Sequence, residues 1–146
     1  MKRIAIWLTL LLAVVMVACA GGKPEAFRLL NADPKDVVDY TVTSVTKNPN
    51  KETGWLLMAR LLVKDRPDLD EKTARAVAAD FIEKNKAQHN GMKFTVIGLK
   101  PEDPKLPGVE QIDTVYHVAW AASSAGAKAA GLSWNGKTVV SFQVGP

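Results

Sequence analysis

The 146-residue chain has a single cysteine, Cys19, and only two histidines, His89 and His117. A lone cysteine excludes an intramolecular disulfide, and a zinc site needs three or four ligands drawn from His, Cys and carboxylate. The sequence therefore predicts no metal and no cofactor. Nucleotide and nucleophile motifs are also missing. Gly126-Ala127-Lys128 lacks the first glycine and the following hydroxyl of a phosphate loop, and Ser123-Ser124-Ala125-Gly126 is not a Gly-x-Ser-x-Gly elbow. There is no internal repeat and no long low-complexity linker. No apolar run reaches the ~20 residues of a membrane-spanning helix. The longest, Ile4 to Ala18, has fifteen and is closed off by Gly21, Gly22, Lys23 and Pro24.

What is there begins with that run. Lys2 and Arg3 precede an uncharged stretch whose one hydroxyl is Thr9, the n-region and h-region of a secretory signal over residues 1–18. Met16-Val17-Ala18-Cys19 resembles the lipobox of bacterial lipoprotein precursors, with Met16 where leucine is usual. The resemblance implies that Cys19 becomes the lipidated first residue, holding the protein to a membrane through its acyl chains. It also implies the cell envelope as location, and in a Gram-negative host Ala20 after the cysteine implies the outer membrane, facing the periplasm. Ala18-Cys19-Ala20 equally satisfies the small-x-small rule for ordinary cleavage before Gly21, which would give a soluble periplasmic or secreted protein.

Removing residues 1–18 takes away Lys2 and Arg3 and lowers the net charge from +4 to +2. The basic residues that remain are scattered and not interleaved with aromatics, so no nucleic-acid partner is expected. The domains expected are the signal (1–18), a lipid-anchored tether (19–36) and one α+β domain (37–146). Residues Ala26 to Leu30 could form a helical turn on the domain or an unstructured leash.

The expected fold is α+β: an antiparallel or mixed sheet of about five or six strands, ordered β-β-α-β-β-β, with one main helix on a face. Val38, Tyr40 and Val42 alternate with polar residues, and a second strand over Trp55–Lys64 follows the turn Asn48-Pro49-Asn50-Lys51. In that second strand Trp55, Leu57, Ala59, Leu61 and Val63 form one face and Leu56, Met58 and Leu62 the other. This pattern predicts a strand covered on both sides, with Arg60 near the second covering. Ala74, Val77, Ala78, Phe81 and Ile82 mark the helix, with Asp68 and Glu71 read as its capping box and Asn90-Gly91 as its stop. Strands are expected over Lys93–Leu99 and Thr114–Ala121, separated by a proline-rich loop. Ala122 to Gly131 reads as a loop with one helical turn. Asn135-Gly136 predicts a type I′ turn joining Leu132–Trp134 to Lys137–Val144 in a terminal hairpin. Residues 37–144 resemble small exported bacterial domains of unknown function with an N-terminal hairpin, one helix and a late Trp-x-Gly turn like Trp134-Asn135-Gly136. That resemblance carries no catalytic residues with it.

No catalytic constellation emerges. His89 reads as a cap at the helix C-terminus. His117 shares a strand face with Asp113, but the pair lies about 13 Å apart in an extended strand. Asp68, Asp70 and Glu71, and Glu102 with Asp103, read as caps and loop solvation. Trp134, beside the turn, is the one residue singled out for contact with an envelope protein partner. Two function classes stay open: a membrane-anchored binding or structural module of the envelope, and a small envelope enzyme whose site the sequence does not display.

Overall fold

The computed structural model describes residues 22–50 and 54–146. The signal over 1–18 and the lipidation residue Cys19 lie outside the described residues, as do residues 51–53. Among the described residues the elements run α1 (Glu25–Leu29), β1 (Thr41–Asn50), β2 (Gly54–Val63), α2 (Glu71–Asn85), β3 (Gly91–Leu99), β4 (Ile112–Ala121), α3 (Ser124–Ala130) and β5 (Val139–Val144). The five strands form one mixed sheet in the order β1-β2-β3-β4-β5. Only β2 and β3 are parallel, because α2 carries the chain back across the sheet between them, whereas the other neighbours pair antiparallel. The α+β class and the single main helix on a face are as the sequence predicts.

Alternation along the strands sends one set of side chains beneath α2. Leu57, Leu61 and Val63 of β2, Met92, Phe94 and Val96 of β3, and Tyr116, Val118 and Trp120 of β4 make this core with Ala74, Val77, Phe81 and Ile82 of the helix. Phe81 meets Phe94 edge to face at 4.8 Å. Phe142 of β5 stacks on Tyr116 at 5.3 Å, and Arg75 of α2 lies 4.3 Å above the Phe142 ring.

Helix α2 starts two residues later than the capping-box reading. Its cap is Asp70, whose carboxylate accepts from the Thr73 N–H at 2.8 Å, whereas Asp68 has φ +60° in the preceding turn. The reason is Leu69: its side chain enters the core and its carbonyl accepts from the buried Tyr116 hydroxyl at 2.6 Å, so the helix can open only after it. The helix ends at Asn85 and not at Asn90-Gly91, since Gly91 is needed as the first residue of β3.

The stretch expected as a tether joins the fold from Pro24 on. Ala26, Phe27, Leu30 and Ala32 are buried in the main core. The Ala26 N–H donates to Glu83 at 2.8 Å, Arg75 donates to the Leu30 carbonyl at 3.3 Å, and Lys72 donates to Asp36 at 2.9 Å. The helical-turn alternative is thus the one formed. The first strand begins at Thr41 and not Val37, because residues 37–40 lie against α2. There the Tyr40 hydroxyl donates to Asp80 at 2.7 Å, while Lys84 pairs with the same carboxylate at 2.6 Å. Burial and Asp80 push the Tyr40 hydroxyl upward in pKa.

The terminal hairpin does not form. Leu132–Trp134 is irregular and β5 pairs with β4 instead, with α3 set between them in sequence. Asn135 has no positive φ, and only Gly136, at +86°, adopts the left-handed region, so the turn is not type I′. The Asn135 carboxamide accepts from the Lys137 N–H at 3.1 Å and closes the bend locally. The Ala-rich stretch before it is a full seven-residue helix, capped by Ser123, which accepts from the Gly126 N–H, and stopped by Gly131 at φ +72°.

Candidate functional site

The second face of the sheet is not covered from end to end. At one end α3 lies on it. Gly91 and Gly126 are in such close approach that a Cβ on Gly126 would stand 1.8 Å from the Asn90 carbonyl oxygen. At the other end Leu62, Ile97 and Leu99 form a small cluster with Val115, and the loop over 100–111 leads away from it. Between the two lies an open trough with a volume of about 760 Å³. The expectation that both faces of β2 are covered therefore fails at Met58, which is 44% exposed on the trough floor.

The strand register arranges that floor in rows. Residues opposite one another share a face, so Thr43, Arg60, Thr95, His117 and Gln143 form one row across all five strands. The row toward α3 is Thr46, Met58, Lys93, Ala119 and Ser141. On the other side run Leu62, Ile97 and Val115. Ala130 and Leu132 wall the trough at the α3 end and Ile112 at the loop end. The floor is thus polar and cationic in its middle and apolar toward the loop.

Arg60 is held by Glu110 of the loop at 3.7 Å, a half-exposed pair that ties loop to sheet. Neither Lys93 nor His117 has a hydrogen-bond or ion-pair partner among the described residues. The carboxylates of the acidic clusters are occupied elsewhere. Glu102 accepts from the Gly108 N–H at 2.7 Å and Asp103 from the Lys105 N–H at 2.8 Å, so both stiffen their own loop. Glu71 pairs with Arg75 at 2.6 Å. A register shift between Gly98 and Leu99 takes Asp113 out of the row pattern that relates it to His117. The Asp68 N–H donates to the Asp113 carboxylate and Lys100 stands at 3.3 Å, and in that order these hold the carboxyl below its usual pKa.

His89 is not the helix cap the sequence suggests. It lies beyond the end of α2, 6% exposed, with Nδ1 lacking a partner among the described residues. Burial first, and Lys47 second, hold its imidazole below the ordinary value. Trp134 is partly exposed in the connection after α3 and is not among the residues that line the trough. Among the described residues no group of three or more His, Cys, Asp or Glu is placed to hold a metal ion.

Sequence reasoning missed the row of Arg60, Thr95 and His117 because its members come from three separate strands and meet only through the parallel β2–β3 and antiparallel β3–β4 pairings. The signal was present in β3 and β4 as the polar residues Lys93, Thr95 and His117 facing away from the core phase, whereas in β2 Arg60 is the lone polar residue among Leu56, Met58 and Leu62. Comparison with family models, with curated proteins and with solved structures gives no match.

Proposed function

We propose that the chain is an exported, lipid-anchored protein of the cell envelope that acts as a binding module through the open face of its sheet. The observation that carries the binding half is the trough: α2 seals one face, while the other is walled at both ends and left open between. Its volume falls within the range of small-molecule sites, ~300–1,000 Å³. The export half rests on Lys2 and Arg3, the apolar run after them and the lipobox-like Met16 to Cys19. It is consistent with the placement of the described core, whose buried residues and strand pairings all lie beyond residue 24.

The test is intact mass and detergent partitioning of the protein made in a bacterial host, wild type beside Cys19→Ala. The expected wild-type product begins at Cys19, carries acyl chains and enters the detergent phase, and the variant loses both properties. A soluble wild-type product beginning at Gly21 would overturn the anchor.

A further inference from the structure

The geometry points to a small amphiphilic anion, a carboxylate on a single aliphatic chain, as the occupant of the trough. Its head would meet Arg60, Lys93 and His117, and its chain would lie along Ile97, Val115 and Ile112. This rests on the binding-module reading and names its ligand class.

Three observations carry it. The first is charge. Arg60 and Lys93 lie on the floor and, among the described residues, no carboxylate lines the trough; Glu110, outside the lining, pairs with Arg60. An anion entering there meets two fixed cations and no fixed negative partner except the one already neutralised. The second is register. Arg60 and His117 flank Thr95 in one row, and Lys93 stands one row nearer α3 on the same strand as Thr95. From strand spacing and rise, the three Cα atoms form a triangle with sides of about 8, 8 and 10 Å. Long Arg and Lys stems close such a distance onto one head group, with the Thr95 hydroxyl at the centre and Gln143 at the edge as further donors. The third is the segregation of polarity along the strands. Two residues beyond the Arg60–Thr95–His117 row the floor becomes Leu62, Ile97 and Val115, and Ile112, half exposed, continues it to the loop wall. A ligand charged at both ends would leave one end on this apolar floor, and a wholly apolar one would leave the cations desolvated without a partner. The end walls exclude a flat bilayer surface, so the occupant is a molecule free in the aqueous phase.

The experiment uses the mature chain from residue 19 carrying Cys19→Ala, which keeps every described element of the fold, so that lipid and detergent are absent. Backbone amide NMR is followed while decanoate is added, with decanol and decyltrimethylammonium as controls. The expected result is a saturable shift of the Arg60, Thr95, His117 and Gln143 amides with decanoate. Lys93→Gln should weaken binding severalfold and the Arg60→Gln/Lys93→Gln pair about tenfold or more, as loss of charge-assisted contacts requires. Lys93 is exposed and without a partner, so Lys93→Gln keeps the test alive if Arg60→Gln disturbs the loop. Equal binding of decyltrimethylammonium, shifts confined to other surfaces, or affinity unmoved by Lys93→Gln would overturn the assignment. So would binding to anionic phospholipid vesicles in preference to free decanoate. Failure here leaves the mass and partitioning result untouched, so the ligand class and the anchor stand or fall separately.

Discussion

The two faces of the sheet are made from the same strands and obey opposite rules. On β2, Leu61 is fully buried beneath α2, while Met58, three residues away and pointing oppositely, is 44% exposed. The helix-side residues are determined by volume, since each touches several neighbours and any loss leaves a hole. The trough-side residues touch water and one another across strands, so their identities are not dictated by packing. Where packing does not choose the residue, a row such as Arg60, Thr95 and His117 calls for another reason.

The largest expected effect tests that division directly. Leu61→Ala should cost about 3 kcal/mol, the usual range for deleting a buried leucine. Met58→Ala should shift stability by less than about 0.5 kcal/mol, as for surface positions. Urea midpoints of the two variants measure the difference, and a Met58→Ala cost equal to that of Leu61→Ala would erase the contrast between the faces.

The next effect asks whether α3 belongs to the packed or the open regime. Replacing a helical glycine with alanine ordinarily gains about 1 kcal/mol. At Gly126 the added methyl would collide with the Asn90 backbone, so Gly126→Ala should instead cost about 2 kcal/mol by overpacking. A stabilised variant in thermal melts would show that α3 lifts from the sheet easily and that the trough's wall is not fixed.

Smaller still is the cap of α2. Asp70→Ala should cost about 1 kcal/mol by the usual value of an N-cap. The Thr73 N–H is the main cause of the lowered Asp70 pKa, so this stabilisation is present above the ordinary aspartate range and is lost as the pH falls through the depressed folded value. Asp70→Ala should therefore approach wild type in acid, which denaturant titrations across pH 2–6 would measure.

The smallest effect belongs to His89. Its folded-state pKa lies below that of the unfolded chain, so the unfolded state takes up the proton first as the medium is acidified. Stability is full above about pH 6.5, the unfolded value, and declines below it toward the folded value. His89→Leu should flatten that decline between pH 7 and 5 in unfolding titrations, and an unchanged slope would assign the decline to other groups.

Much of the helix-covered half could be read from the sequence, and much of the open half could not. The stripe of Ala74, Val77, Phe81 and Ile82 and the Leu57–Val63 alternation report burial, and burial leaves a periodic trace in one segment at a time. The cap moved from Asp68 to Asp70 because the Tyr116 hydroxyl claims the Leu69 carbonyl, a contact across 47 residues that no local pattern contains. The Asn135-Gly136 turn failed as a hairpin because β4 offers β5 a longer partner than Leu132–Trp134 could. The trough is harder to read for the same reason: Arg60, Thr95 and His117 become neighbours only once the order and direction of β2, β3 and β4 are known.

The docking of α1 on α2 has a consequence for how the anchored form would stand on its membrane. Gly22 follows Cys19 by three residues, a span of at most about 11 Å when extended. By Pro24 the chain is already bound into the fold, and it enters on the helical side of the sheet. A lipid at Cys19 would therefore leave the domain almost no slack to swing. It would hold the helical layer toward the bilayer and turn the trough outward, as a dish is held up to what arrives from the solvent.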